Sequence, residues 1–375
     1  MNGSTQPPAI GFMIPVNKQD FLTIKTPSQD PRNICTASGE GTIGAPWYTC
    51  ENIQLTNTVD AVTARVGDIV TIQVGIQALP TEFSVTQSIF NVQAWVCYPN
   101  TVAGETDLAL VVPSMQTQPA SFAGDSSVVS DSTTGYQQGD GFQWISLSSW
   151  KPAPQDFIDQ GSHGGHCCII ANAYGRGNGD DVGQPSIANS DLQTQIRVCT
   201  DLYQGQRNIV IVPAPSGGHG GRTPPRFGFL SGAPGQRKSS KTTIAVNAIK
   251  QGAQVDPLLL SVFNSGPYAG LPLKPATLPP KSLRLARHDC QWNDWLSKII
   301  HEAEEIIEEL LGLETHPFGG GHQLHLSLPA QGLQPLRVEV ELDPTEPPGT
   351  VHSIAITQTD ANGARGGIRA GIVVT

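Results

Sequence analysis

Apolar and polar positions alternate most cleanly over residues 70–76, where Val70, Ile72, Val74 and Ile76 are separated by Thr71, Gln73 and Gly75. Successive side chains of an extended strand point to opposite faces, so a period of two predicts a half-buried β-strand. Strands are predicted in the same way over 91–98 (NVQAWVCY), 107–112, 141–147 (GFQWISL) and 206–213 (QRNIVIVP). Between the last two lies 161–175, GSHGGHCCIIANAYG, whose apolar run at 166–171 is long enough for a buried strand and too short for an independent helix. Further on, apolar runs at 241–246 and 258–263 and alternation at 323–328 and 336–342 predict more strands. A final hairpin is predicted from 351–357 and 368–374, around the turn-forming Asn362-Gly363.

One stretch breaks this period. Over 291–313, Trp292, Trp295, Ile299, Ala303, Ile306, Leu310 and Leu313 recur at steps of three and four, with glutamates on the remaining positions. That spacing predicts an amphipathic helix with a single apolar seam. Leu296, Ile300, Ile307 and Leu311 make the seam too wide to leave in water, so it must pack on its own domain or on another subunit. Trp292, Trp295, Ile299, Ile306 and Leu310 are therefore the candidate interaction residues.

Composition agrees with a mainly β chain. The 375 residues include 40 glycines and 30 prolines but only 14% charged residues, as expected for short strands joined by many turns. The predicted organisation is an extended arm (1–44), an immunoglobulin-like β-sandwich (45–213) with Trp95 in its core beside Cys168, a Gly/Pro-rich linker (214–240), and a second β-sandwich (241–375) interrupted by the helix. In the arm, residues 10–14 form one possible strand, lying along its own domain or a neighbour. A net charge of −10 supplies no basic footprint for nucleic acid. No apolar run reaches the roughly 18 residues of a membrane span, and the first residues lack the basic-then-apolar pattern of a secretory leader.

The densest candidate chemistry is His163, His166, Cys167 and Cys168, since imidazole and thiolate are ligands for zinc or copper. On a strand, however, His166 and Cys168 face one side and Cys167 the other, so the four do not all converge. A catalytic Cys-His pair is weaker still, because the doublet sits in an apolar run. The seven cysteines show no C-x-x-C spacing; Cys35 and Cys50 flank a Gly-rich loop and could be bridged, while buried free thiols are expected elsewhere. His322 and His325, three apart on a strand, point to opposite faces, and His316 lies before them. Asn178, Asp180 and Asp181 form an acidic loop without the calcium-loop pattern. No nucleophile elbow, phosphate loop or dinucleotide fingerprint occurs.

The succession Pro46-Trp47, Asn52-Ile53, Val92-x-x-Trp95-x-Cys97, Trp150-x-Pro152, Gly165-His166-x-Cys168 with Ala171, and Gln206-Arg207-Asn208-Ile209 resembles bacterial Ig-like domains of the CARDB (cell-adhesion-related) type, over roughly residues 45–213. The resemblance implies adhesion or scaffolding, an extracellular or surface location, and no catalytic residues. The expected function is thus a non-enzymatic structural subunit that self-assembles or adheres, as in a filament, appendage or particle surface, without cofactor and with other copies or another protein as partner. Two alternatives stand beside it. One is a metal- or thiol-dependent protein centred on His163, His166, Cys167 and Cys168; the other is a carbohydrate-binding module using Trp47, Tyr48 and Trp144.

Overall fold

A computed structural model describes residues 12–16, 46–58, 60–78, 87–102, 106–116, 122–123, 127–130, 142–158, 164–177, 180–182, 186–214, 224–232, 238–263, 268, 270–287, 321–330, 332–361 and 363–375. The chain is mainly β and is built of sandwiches. In the first half run β1 (Phe12–Met13), β2 (Ile53–Thr56), β3 (Thr63–Arg65), β4 (Val70–Ala78), β5 (Gln87–Cys97), β6 (Phe122–Ala123), β7 (Ser127–Ser130), β8 (Phe142–Trp150), β9 (Gly164–His166), β10 (Cys168–Gly177), β11 (Asp180–Val182) and β12 (Gln204–Arg207). The second half holds β13 (Ile209–Ala214), β14 (Arg226–Gly232), β15 (Ser240–Ile249), β16 (Lys274–Pro275), β17 (Ser282–Arg287), β18 (Gly321–Leu328), β19 (Leu333–Glu341), β20 (Thr350–Asp360) and β21 (Gly363–Val374).

In the first sandwich, β1 and β2 lie along one edge of β4 and β8 along the other. The facing sheet centres on the antiparallel pair β5 and β10, with β11 and β12 beyond β10, and β6 and β7 beyond β5. Val92, Ala94 and Val96 are buried, and so are the alternating Trp95 and Cys97. Strands covered on both faces read as continuous apolar runs, which is why 91–98 and 166–171 show little alternation. Trp95 stands opposite Ile170, one diagonal from Cys168, as the sequence suggested. The possible strand of the arm docks on its own sheet, with Phe12, Met13 and Ile14 inaccessible to solvent.

The second sandwich packs a sheet ordered β13-β21-β20-β15-β18 against a sheet ordered β14-β19-β17. Ile354, Ile356, Ile368 and Ile372 meet Phe229, Leu336 and Val338 in the core. The far face of the larger sheet is covered by a helix, Pro257–Phe263, through Leu259, Val262 and Phe263. Asp256 positions that helix: its Oδ1 accepts from Leu258 N (3.1 Å), while Oδ2 accepts from Ser353 Oγ (2.7 Å) and pairs with Arg369 (3.1 Å).

Several expectations are corrected. Residues 258–263, expected as a strand, form that helix, because Asp256 caps it and Pro257 suits its first turn. Residues 107–112 form the short 3-10 turn Leu108–Leu110, stabilised by Asp107 Oδ1 accepting from Ala109 N (3.0 Å). Residues 206–213 are not one strand closing the first sandwich. They break at Asn208: β12 pairs with β10, whereas β13 runs parallel to β21 in the second sandwich. The stretch expected as a linker contains β14. The helix expected over 291–313, with Trp292, Trp295, Ile299, Ile306 and Leu310, lies outside the described residues. The closing hairpin is present as β20 and β21, with Gly363 at φ +106°. Among the described residues no helix is long and apolar enough to cross a membrane.

At one side of the second sandwich, His322 joins the two sheets. Its Nδ1 accepts the outward N–H of Leu285, at 2.8 Å, linking β18 to β17. Burial, and secondarily the nearby Arg284, lower the His322 pKa. An imidazole harder to protonate when folded than when unfolded adds stability above its unfolded value of about 6.5, and that stability is lost as pH falls through the lowered folded value. Heat denaturation should therefore shift to lower temperature between about pH 7 and pH 5. His322→Gln, which keeps an acceptor but does not titrate, should flatten that slope relative to the parent chain. Identical slopes in the two proteins would mean His322 contributes nothing.

Candidate functional site

The His-Cys cluster lies where the two sandwiches meet. His166 ends β9, which pairs with β3 so that His166 stands opposite Thr63. Cys167 occupies the one-residue gap before β10, and Cys168 begins β10. The β3 approach is shaped by Asp60, whose Oδ1 accepts from Val62 N (2.9 Å) and Thr63 N (2.7 Å) and whose Oδ2 accepts from Thr63 Oγ1 (2.9 Å). Nδ1 of His166 lies 3.1 Å from Thr63 Oγ1 and accepts from the N–H of Ile211 at 3.3 Å. A backbone N–H can only donate, so Nδ1 is the acceptor in this bond. Ile211 belongs to β13, so the imidazole ties the first sandwich to an edge strand of the second.

The thiols are held differently. Cys167 and Cys168 are both buried, and Gln206 Nε2 donates to Cys168 Sγ at 3.0 Å. Burial pushes the Cys168 thiol up to about 12. Burial also raises Cys167 well above the usual thiol range, helped by the negative charge of Asp156. Since the thiolate is both nucleophile and metal ligand, these sulfurs are kept in their unreactive form at neutral pH. His163 lies outside the described residues. Among the described residues no three His, Cys, Asp or Glu side chains are grouped to hold a metal ion.

Beside His166 a cleft of about 160 Å³ opens between the sandwiches. Phe157 and Ile158 wall one side, and Val212, Arg226 and Phe227 the other. It can seat one small apolar group next to a guanidinium, and it presents no nucleophile or general base beyond an imidazole already bonded to backbone.

The remaining candidates are dispersed. His325 Nδ1 lies 3.0 Å from Thr243 Oγ1, on the face of β18 opposite to His322, and His316 is outside the described residues. Asp180 and Asp181 lie on β11, while Asn178 is outside the described residues. Trp47 and Tyr48 are core residues, 3% and 2% exposed, so they offer no sugar-binding platform; the half-buried Trp144 packs edge-on against Phe142. Cys50 is buried and its Sγ donates to Pro15 O (3.3 Å); Cys35 is outside the described residues.

What the residue pattern did not single out is a buried polar seam next to this cluster. Asn208 Nδ2 donates to the carbonyls of Asn100 and Gly367, and Asn208 O accepts from Arg369 N (3.1 Å). Gln358 Oε1 accepts from Thr101 Oγ1 (2.7 Å) and Ser231 Oγ (3.1 Å), while its Nε2 donates to Gly232 O (2.6 Å). Leu230 and Thr101 exchange backbone bonds with Pro99 and Leu230 across the same boundary. The available signal was the polar run Gln206-Arg207-Asn208 within an otherwise apolar strand: polar residues at core positions mark places where buried partners must exist.

No protein-family model matches this sequence, and no curated protein matches it. Solved structures similar to it include the collagen adhesin (CNA) from S. aureus, at 8% identity and a TM-score of 0.22, covering 86% of this chain and 91% of that one. The CupB6 tip adhesin from Pseudomonas aeruginosa is similar at 11% identity and a TM-score of 0.19, covering 86% of this chain and 99% of that one.

Proposed function

We propose that this chain is a non-enzymatic structural and interaction protein, a self-assembling or adhesive subunit of a surface-exposed or extracellular structure. Its first sandwich is read as a domain of the CARDB type over roughly residues 45–213. The observation that carries the reading is the use made of the reactive side chains. His166 is bonded to the backbone of β13, Cys168 to Gln206, and Asp60 to the turn that leads into β3. Side chains committed in this way build a rigid body rather than a reaction centre.

A rigid body of paired sandwiches suits assembly because, among the described residues, its sheets end in strands with one hydrogen-bonding edge open. β18 ends the larger sheet in the described residues, pairing along one edge with β15. Its outward Gln323, His325 and Ser327 are exposed and polar, which keeps the edge soluble until a specific partner strand arrives. The partner is a second copy or another protein.

Mass photometry and negative-stain microscopy of the full chain across a concentration series test this. Filaments, rings or a fixed oligomer are expected, with the equilibrium shifting as concentration rises. A monomer that persists into the high micromolar range would overturn the assembly reading.

A further inference from the structure

Cys97 and Cys168 occupy directly opposed positions on the antiparallel neighbours β5 and β10. We propose that these two residues form a cross-strand disulfide when the chain folds in an oxidising compartment, a covalent staple across the central strand pair of the first sandwich.

The geometry comes from the register. Directly opposed residues of an antiparallel pair have Cα atoms about 4.5 or 5.5 Å apart, depending on whether they form a hydrogen-bonded pair. Both spacings fall within the roughly 4.4–6.8 Å that a disulfide spans. Opposed residues also project to the same face of the sheet, so the two sulfurs are on one side of it. Both residues are free thiols with no solvent exposure. Burial is the main cause that raises the Cys97 pKa, and Cys168 is near enough to raise it further, with Cys167 acting in the same direction but less strongly.

Cys167 is the competing partner, and the fold turns it elsewhere. It precedes β10 and its N–H donates to Val62 O (3.3 Å); after burial, the charges that raise its pKa are those of Asp156, Cys168 and Asp60, in that order. Consecutive residues of an extended chain face opposite ways, so a vicinal Cys167–Cys168 bridge is the wrong shape for this segment. Gln206 also donates a side-chain hydrogen bond to Cys168, which orders that sulfur.

The chemistry balances with a small-molecule disulfide as the oxidant, for which glutathione disulfide serves as the probe. The Cys97 thiolate attacks one glutathione sulfur, forming a mixed disulfide and releasing glutathione thiolate. The Cys168 thiolate then attacks the Cys97 sulfur and expels the second glutathione. Two electrons pass to the oxidant, the two protons end on the two glutathione thiols, and one protein S–S bond forms. Because both sulfurs are buried in the folded chain, the exchange occurs while β5 and β10 are still pairing.

The test is to refold the full chain in a glutathione disulfide and glutathione buffer, block free thiols, and map peptides without reduction. A linked peptide pair containing Cys97 and Cys168 is expected, with the chain lighter by two hydrogens and its heat denaturation moved to higher temperature than that of the reduced chain. Cys167→Ser should retain the same linked pair, and Cys97→Ala should abolish it. Refolded chain of native circular dichroism with both Cys97 and Cys168 blocked as thiols would overturn the proposal, as would a bridge that includes Cys167.

Discussion

Arg207→Ala is expected to destabilise the chain by about 3–5 kcal/mol, the cost of emptying a large buried site and leaving buried carbonyls without their donor. Arg207 is 1% exposed on β12, inside the first sandwich. Its Nη1 donates to Ile53 O at 2.5 Å and to Glu51 O at 3.3 Å, joining β12 to β2 and the turn before it. Burial lowers its pKa to about 10, which still leaves it charged at neutral pH. Truncation to alanine would leave two carbonyls without their donor and open a cavity the size of a guanidinium side chain, and each of those losses is unfavourable. Arg207→Met separates them, since it fills most of the volume but donates nothing. Chemical denaturation should place Arg207→Met between the parent and Arg207→Ala. If Arg207→Met matches the parent chain, the volume alone is what matters, and the carbonyl contacts contribute little.

How far the fold was legible follows from which force sets each element. Half-buried strands such as β4 and β19 are set by alternation, and alternation can be read directly. The helix Pro257–Phe263 was misread because its leucines and valine form a short apolar run that suits strand and helix equally. What decides it is Asp256, whose two carboxylate oxygens act on groups as distant as Ser353 and Arg369. The cap itself, Asp256 Oδ1 to Leu258 N with Pro257 at the first turn, was a local signal; the anchoring of Oδ2 to Ser353 and Arg369 was not, because those partners come from the far end of the chain. The same applies to β13. Its residues look like the continuation of β12, but pairing with β21 requires the last strand of the chain, and nothing local specifies that. At the site, the strand rule correctly separated Cys167 from Cys168 and His322 from His325. It could not foresee that His166 would bond to Ile211, because that contact depends on how two sandwiches meet.

That meeting should make the two sandwiches unfold together. The seam buries Asn100, Thr101, Asn208, Ser231 and Gln358, each 2% exposed or less; the bonds of Asn208 to Asn100 O and of Thr101 to Gln358 cross the boundary, while that of Ser231 to Gln358 lies within the second sandwich. Separating the sandwiches would expose these groups along with the ring of Tyr48, which lies against Gly367 of β21. A single cooperative endotherm is therefore expected for the full chain by differential scanning calorimetry. Asn208→Ala removes the donor for Asn100 O and Gly367 O and should cost about 2–4 kcal/mol, since both carbonyls stay buried. Gly367→Ala attacks the seam from the opposite side. A Cβ there would sit 2.4 Å from Ile356 O and 2.7 Å from the Tyr48 ring, and the backbone carbonyl cannot yield as a flexible side chain would. The expected cost is about 1–3 kcal/mol, the range for overpacking. More telling than either magnitude is the shape of the transition. Weakening the seam lowers the coupling between sandwiches without removing either core, so both variants should broaden or split the endotherm. Two resolved transitions already present in the parent chain would mean that the seam is a contact between independent domains, and that the buried amides do not unite them.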